Sequence, residues 1–322
     1  MIKEMKNILK TIIRLAITGI VLFLVFRKVN FIDILELLKG VNIGIFLLSF
    51  VAYGIMVLLC AIRWRELLKV QQIDIPYSHT LTYYLIGFFY NNILPTVVGG
   101  GVVRALYVGR AKQKNKEAFS SMLVEIVIGG WALIMFALIT LFFWFKSFSL
   151  YHLILPLFGI FIFSTLLLCL FFERGFMRKI KLLTDKIKLF GLNTKLKGLY
   201  EALYLYKDKK LQIIEAVLLS FGIQTIIALM NFLIGLSLGF RLPLMSYIVY
   251  PVIIGLITAI PITINGLGIR EWAYRIFFAQ VGLNPSQAVT FSMLFYFVGV
   301  IGSLLGGIVF LFVKFPEVKN KV

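Results

Sequence analysis

Several apolar runs of this chain are long enough to cross a bilayer as helices, which restricts the chain to a small set of folds. A transmembrane helix needs about 20 consecutive apolar residues, and stretches of that kind lie near residues 8–26, 42–62, 121–145, 151–172, 211–238 and 289–313. Charged residues make up only 15% of the 322-residue chain, whereas a soluble domain carries about 25%. The pattern excludes a soluble enzyme, a nucleic-acid-binding domain and a secreted disulfide scaffold. It predicts one polytopic all-α membrane domain over residues 1–322.

Two further apolar stretches, 77–110 and 244–283, are interrupted near the middle by proline, glycine and polar residues. Pro95 and Pro261 cannot continue a helix, and the glycines that follow them permit a turn. Irregular backbone at membrane depth is tolerated only inside protein or beside water. We therefore expect each stretch to break at its tip, with a new half-helix starting near Gly100 and near Gly266.

The distribution of positive charge predicts the orientation. Lys and Arg outnumber Asp and Glu by 33 to 14, and cytoplasmic loops are the ones enriched in Lys and Arg. Arg63, Arg65 and Lys69 are assigned to such a loop after the second span. The rule is satisfied only if both broken stretches are re-entrant hairpins, because a full span at 80–98 would place the basic run at 110–116 outside.

The predicted fold is thus six full spans plus two re-entrant helical hairpins that enter from opposite faces, and eight full spans are the alternative. Both termini are expected in the cytoplasm, with the plasma membrane as the location. Residues 174–210 combine apolar residues at helical spacing with Lys and Arg. This composition predicts a basic amphipathic segment on the cytoplasmic leaflet.

The two tips share a pattern. Residues 95–104 and 261–270 both read Pro-x4-Gly-x3-Arg. Opposed copies of one motif are typical of inverted-repeat transporters, in which discontinuous helices meet at the binding site. The pattern predicts a first repeat at about 42–145 and a second at about 211–313.

Four ionisable residues at membrane depth are candidates for function. Arg104 and Arg270 lie in the first turn of the half-helices, where the helix dipole disfavours a cation, so each needs an anion. A lipid phosphate would suit a guanidinium, which binds it in a bidentate manner. The alternative is that each arginine caps backbone carbonyls or pairs with an internal carboxylate, and Glu125 and Glu271 are the acids at plausible depth. Adjacent helical residues do not face each other, so Glu271 is expected to pair with a residue other than Arg270.

The remaining candidates are small or polar residues around the tips, which would contact substrate or only form turns: Gly100, Gly101, Gly266, Gly268, Asn91, Asn92, Thr96, Thr263 and Asn265. Gln224 and Asn231 lie on one face of a span and are expected to make interhelical hydrogen bonds. No grouping of His, Cys and acidic residues has metal-ligand spacing, and no Ser or Cys is paired with His in a catalytic pattern. Neither a metal nor a cofactor is expected.

Four features in combination point to a family: LPTVVGGGVVR (94–104), an acid at Glu125, a long basic loop and INGLGIREW (264–272). They resemble the lysylphosphatidylglycerol synthase transmembrane region family, also called flippase-like domain proteins, over essentially the whole chain. The resemblance implies that six residues match motif positions: Arg104, Glu125, Gly266, Gly268, Arg270 and Glu271. Family members often have Arg where this chain has Ile126.

In that family the membrane domain occurs alone or fused to a soluble aminoacyltransferase domain, and it is implicated in moving lipid product between leaflets. The resemblance implies a stand-alone membrane domain here, with the soluble synthase domain absent. The favoured hypothesis is a lipid translocator that moves an anionic phospholipid or a lipid-linked headgroup between leaflets. Its partners would be membrane lipids, together with a soluble transferase as a further candidate and no nucleic acid.

Two alternatives stay open at this point. One is an integral membrane enzyme, or a subunit of one, that modifies a lipid headgroup in a reaction related to phosphatidylglycerol lysyltransfer. It would need a general base, for which only Glu125 and Glu271 are candidates. The other is a non-catalytic membrane adaptor.

Overall fold

The computed structural model describes residues 15–27, 29–94, 99–144, 151–172, 204–260 and 262–313. Within these ranges the regular structure is helical, and no strand occurs there. The helices are α1 (Leu15–Phe26), α2 (Phe31–Lys39), α3 (Ile43–Val70), α4 (Tyr77–Ile93), α5 (Gly99–Lys112), α6 (Asn115–Trp144), α7 (Tyr151–Phe172), α8 (Lys210–Ser237), α9 (Ser246–Ala259), a 3-10 turn (Ile264–Gly266), α10 (Ile269–Ala279) and α11 (Pro285–Phe312).

Four of these helices, α3, α6, α8 and α11, are long and apolar enough to cross a bilayer. Each has 28 to 30 residues, which is about 42–45 Å of helix at 1.5 Å per residue. The hydrocarbon core is only about 30 Å thick. Helices α1 and α2 meet at a bend of 80° and form a fifth candidate if they belong to one span. The all-α membrane fold is therefore confirmed, while the number of full spans stays a prediction.

Helix α3 continues further than the apolar run indicated. Arg63, Arg65 and Lys69 lie within this helix, so their assignment to a loop was wrong. The segment from 60 to 70 contains neither Gly nor Pro, and its Leu, Arg, Glu and Lys residues favour helix. Trp64 and Leu67 on the same turns are fully buried. Consequently, Arg63 can contact residues in the protein interior.

The first broken stretch folds back on itself as a helical hairpin. The rings of Tyr83 in α4 and Tyr107 in α5 have centroids 5.3 Å apart. Nearer the tip, Gly100 lies so close to Gly87 that an added Cβ would collide with the Gly87 carbonyl. The contact nearer the tip joins residues that are closer in sequence than those joined by the contact further from it. The two helical arms are therefore antiparallel. The break is confirmed, because a new helix begins at Gly99.

The second broken stretch is also a hairpin. Tyr250, near the start of α9, packs edge-on against Phe278, near the end of α10, with centroids 5.1 Å apart. Its new helix begins at Ile269, after the 3-10 turn. That the two hairpins are re-entrant and enter from opposite membrane faces stays a prediction, and so does the inverted repeat. Pro95, Thr96 and Pro261, and most of segment 174–210, lie outside the described residues.

The chain divides into two compact units, each assembled from separate stretches. The first unit draws its described residues from 1–57, 85–100 and 224–311, and the second from 58–84, 101–223 and 312–322. One buried apolar cluster of the first unit consists of Val25, Val29, Ile34 and Val289. A cluster of the second unit consists of Leu67, Val124, Ile128, Tyr206 and Ala216. The site residues described below belong to one unit or the other.

Within the first unit, Gly306 of α11 packs directly on the backbone of α4. A Cβ at this position would collide with the carbonyl of Leu85, whereas a Cβ at Gly299 on the same helix would meet no atom within 4 Å. We expect Gly306→Ala to lower the free energy of unfolding by about 1–3 kcal/mol, as overpacking does. The matched variant Gly299→Ala should leave that energy unchanged or slightly raised. Thermal unfolding in detergent measures both, and equal melting temperatures would contradict the close packing.

Candidate functional site

Glu125 of α6 is the centre of a buried charge cluster in the second unit. Its Oε1 accepts a hydrogen bond from Nη2 of Arg63 at 3.0 Å, and its Oε2 accepts one from Nη2 of Arg104. The Tyr84 hydroxyl donates to Oε1 at 2.9 Å. The side chain of Glu125 is only 2% exposed. Both of its oxygens are thus satisfied, as a buried carboxylate requires.

Arg104 is enclosed by aromatic rings as well as by its carboxylate. Its guanidinium carbon lies 4.0 Å from the ring centroid of Tyr84 and 4.5 Å from that of Trp64, which are cation–π distances. Its Nη1 is buried and has no hydrogen-bond partner in the described part of the chain. The structure therefore shows the internal carboxylate, one of the two anions expected for Arg104.

Arg63 is a member of this cluster that sequence reasoning missed. Besides its bond to Glu125, its Nη1 donates to the Ser220 hydroxyl at 2.8 Å. Basic residues just beyond an apolar run usually mark the cytoplasmic side, and this hid its role. The signal that could have found it is the absence of a helix breaker after residue 62. The cluster thus holds two arginines against one carboxylate.

Arg270, at the second tip, is held by its own neighbour in the first unit. Its Nε and Nη2 donate to Oε1 of Glu271 at 3.1 and 2.6 Å. The Ser292 hydroxyl of α11 lies 3.2 Å from both Arg270 Nε and Glu271 Oε1. The guanidinium carbon also lies 4.1 Å from the ring centroid of Tyr296. The expectation that Glu271 pairs with a residue other than Arg270 was therefore wrong.

The start of α10 explains this pairing. The backbone N–H of Gly268, the N-cap residue, donates to Oε2 of Glu271 at 2.6 Å, as in a capping box. A carboxylate in this position bends back towards the helix start, where the long side chain of Arg270 reaches its other oxygen. Glu271 also offsets the helix dipole, which disfavours a cation in the first turn. The anion that Arg270 needs is thus supplied from within.

Backbone conformation accounts for the glycines of the second tip. Gly266 and Gly268 have φ of +71° and +83°, a region that L side chains rarely adopt. A Cβ on Gly268 would also lie 3.0 Å from the Val21 side chain of α1. The backbone N–H of Ile264 donates to the Thr18 hydroxyl of α1 at 3.1 Å. Helix α1 therefore packs against this tip.

A cavity of about 350 Å³ lies beside Arg270 in the first unit. Its polar lining comes from both hairpins: Asn91, Asn92, Thr258, Asn265 and Arg270. Its apolar lining includes Tyr53, Met56, Phe88, Ile227, Met230, Phe295 and Tyr296. This volume falls within the range of small-ligand pockets, about 300–1,000 Å³.

Hydrogen bonds fix several of the amides around this cavity. Asn265 Nδ2 donates to the Asn92 carbonyl at 3.4 Å, which links the two tips. Asn92 Nδ2 donates to the Ser303 hydroxyl at 2.7 Å, and Asn91 Oδ1 accepts from the Gly100 N–H at 2.8 Å. The structure thus brings together the expected residues Asn91, Asn92 and Asn265 with Arg270.

One nitrogen of the Arg270 guanidinium makes no hydrogen bond within the described residues. The hydrogen bonds of Arg270 use Nε and Nη2, so this nitrogen is Nη1. Because Arg270 lines the cavity, a guanidinium of fixed orientation is offered there to an anion.

The other expected residues have different surroundings. Arg104, Glu125 and Gly101 belong to the second unit, where Gly101 packs on Met122. Asn231 accepts a hydrogen bond from the Tyr274 hydroxyl at 2.5 Å, which confirms its interhelical bond. Tyr296 and Ser292 are further residues that sequence reasoning missed, because nothing in an apolar span marks which face will meet Arg270.

The sequence of the chain also matches known proteins. The sequence model of the family described as lysylphosphatidylglycerol synthase TM region matches residues 11–307. The chain belongs to this family. The match includes both tips and the two arginine–carboxylate pairs, so the lysylphosphatidylglycerol synthase TM resemblance inferred from the motifs is confirmed.

Two relatives of the chain are described as UPF0104 membrane proteins. The protein from Pyrococcus horikoshii is 25% identical, and the match covers 86% of this chain and 89% of that protein. The protein from Methanocaldococcus jannaschii is 24% identical, and the match covers 98% of each. Both are membrane proteins by name, and both align with this chain over nearly their whole length.

Proposed function

We propose that the chain translocates an anionic lipid between leaflets and that the lipid headgroup binds in the cavity beside Arg270. The observation that carries this proposal is that Arg270, whose Nη1 makes no hydrogen bond within the described residues, is among the residues lining a cavity to which both hairpins contribute. A planar guanidinium is well suited to phosphate.

The surroundings of Arg270 suit a binding role. Glu271 and Ser292 hold two of its nitrogens in place, so the third is pre-oriented and little side-chain entropy is lost on binding. The amides of Asn91, Asn92 and Asn265 carry both donors and acceptors. They can recognise the hydroxyl groups of a polar headgroup.

The broken helices suit a transport role. In many transporters the substrate site lies near the membrane midplane, where discontinuous helices meet. Here the tips of both hairpins line one cavity and are linked by the bond from Asn265 to Asn92. Alternating access would separate the tips and break this bond of 3.4 Å.

The carboxylates favour this function over lipid modification. Glu125 receives hydrogen bonds from Arg63, Arg104 and Tyr84, and Glu271 receives them from Arg270, Gly268 and Ser292. A general base must be able to accept a proton from the substrate. Groups held in this way fit the orientation of arginines better than proton transfer.

Lipid movement in proteoliposomes tests the proposal. With headgroup-labelled phosphatidylglycerol, we expect wild-type protein to transfer label between leaflets. Arg270→Gln should slow transfer at least about tenfold, because a hydrogen bond to a charged group contributes about 1.5–3 kcal/mol. The control Arg241→Gln changes an exposed arginine of the same unit and should transfer at the wild-type rate.

Two outcomes would overturn the proposal. One is the absence of transfer by folded wild-type protein for any anionic lipid. The other is unchanged transfer by folded Arg270→Gln. Arg270→Lys, which keeps the charge, serves if the glutamine variant does not fold. The same assay with Arg104→Gln tests the separate prediction that Arg104 contacts lipid.

A further inference from the structure

Arg270 also lines a second cavity, of about 340 Å³, on the side of α1 and α11. Apart from Arg270 and Glu271, this cavity is walled by apolar and aromatic side chains: Leu22, Phe26, Leu267, Met293, Tyr296, Phe297 and Val300. Arg270 and Tyr296 line both cavities. The guanidinium therefore borders a polar space and an apolar space.

The apolar cavity is a groove along membrane-spanning helix α11. Met293 and Phe297 are 41% and 47% exposed, and they belong to a helix that is long and apolar enough to cross a bilayer. Exposed apolar side chains of such a helix face lipid tails. The groove between α1 and α11 is thus accessible from the side, through the bilayer.

An ion pair beside a lipid-facing groove is an unusual arrangement. Charged groups within the membrane almost always face the protein interior or water, whereas Arg270 and its partner Glu271 both line this apolar groove. An amphiphile satisfies both environments, because its phosphate meets the guanidinium while its chain fills the apolar groove.

We propose that the groove between α1 and α11 holds one acyl chain of the transported lipid. The headgroup would lie at Nη1 of Arg270 in the polar cavity, and the chain would pass Tyr296 and run along Met293, Phe297 and Val300. This inference rests on the proposed function for its headgroup. It adds that the substrate is acylated and reaches the site laterally from the bilayer.

Photo-crosslinking in nanodiscs tests the groove. The probe is phosphatidylglycerol with a diazirine in one acyl chain, and the crosslinked residues are identified by mass spectrometry. We expect crosslinks at Phe26, Met293 and Phe297 above the background at Leu218, a lipid-exposed residue of α8 that is 64% exposed. Excess unlabelled phosphatidylglycerol should remove them, whereas diacylglycerol, which lacks the phosphate, should not.

Filling the groove is the matched test. Val300→Trp should reduce the groove crosslinks to the Leu218 background and slow lipid transfer, and Met293→Trp should do the same from the rim. Ile308→Trp, at an exposed position of the same helix outside the groove, should change neither. All three tryptophan variants should have the same helix content by circular dichroism.

The outcomes separate this inference from the proposed function. Groove crosslinks no stronger than background, or equally removed by diacylglycerol, would overturn the acyl site. Transfer at the wild-type rate by both tryptophan variants would also overturn it while leaving translocation intact. Phosphate-dependent crosslinks in a protein that transfers no lipid would support the acyl site and contradict translocation.

Discussion

Replacing Glu125 with glutamine is expected to destabilise the folded protein by about 3–5 kcal/mol, the usual result of removing one partner from a buried ion pair. The variant leaves Arg63 and Arg104 close together with no carboxylate between them, and their side chains are only 12% and 8% exposed. The free energy of unfolding, measured by titrating mixed micelles with dodecyl sulfate, should fall accordingly.

Two matched variants make this prediction specific. Arg104→Met leaves Arg63 and Glu125 as a neutral pair, so its loss of stability should be clearly smaller than that of Glu125→Gln. Glu66→Gln removes the partner of Lys69 in a partly exposed pair, in which the Lys69 and Glu66 side chains are 41% and 22% exposed, and should cost less than about 1 kcal/mol. Equal losses for Glu125→Gln and Glu66→Gln would contradict the buried cluster.

The all-helical fold class and several helices were predictable from the sequence because membrane helices have a strong local signal. The apolar runs at 121–145 and 211–238 correspond closely to α6 and α8, and 151–172 corresponds to α7. The breaks were predictable for the same reason, since Pro95 and Gly266 restrict or release the backbone locally.

Side-chain pairing was harder to predict because it depends on which faces meet. Glu125 was one of two acids available, so its bond with Arg104 could be foreseen as an alternative. That Arg63 belongs to this cluster could not be foreseen, because a basic residue at this position fits either a cytoplasmic loop or the continuation of a helix. The cavity lined by Asn92 and Asn265 could not be predicted, because it depends on contact between the two hairpins. No single segment of the sequence specifies that contact.

The Glu271 error has a more general lesson. The rule that adjacent residues point apart applies to the middle of a helix, whereas Glu271 lies in the first turn. A helix-starting Gly268 followed three residues later by Glu271 is a local capping pattern. Reading that pattern would have placed the carboxylate at the helix start beside Arg270.

The two charge clusters therefore combine the same chemistry with different surroundings. In the second unit, Arg104 is enclosed by Tyr84, Trp64 and Glu125. In the first unit, Arg270 is held on one side and borders two cavities. The difference makes Arg270 the residue to examine first for ligand binding.

The second large effect is expected at Glu271. Glu271→Ala removes the carboxylate that holds Arg270 and accepts from the Gly268 N–H, so we expect a loss of about 3–5 kcal/mol from the buried charge. Glu271→Gln keeps an acceptor for the Gly268 N–H and removes only the charge. It should be more stable than Glu271→Ala by about 1 kcal/mol, the typical worth of a helix cap. The same dodecyl sulfate titration measures both.

The double variant Arg270→Met, Glu271→Gln provides the decisive comparison. Replacing both members of a buried pair is often close to neutral, because no charge is left without a partner. We therefore expect the double variant to recover most of the stability that Glu271→Gln loses, and a double variant as unstable as the single one would contradict the pairing. A double variant that folds at wild-type stability but transfers no lipid would separate the role of Arg270 in binding from its role in the fold. Only the function that needs the Arg270 guanidinium would then be lost.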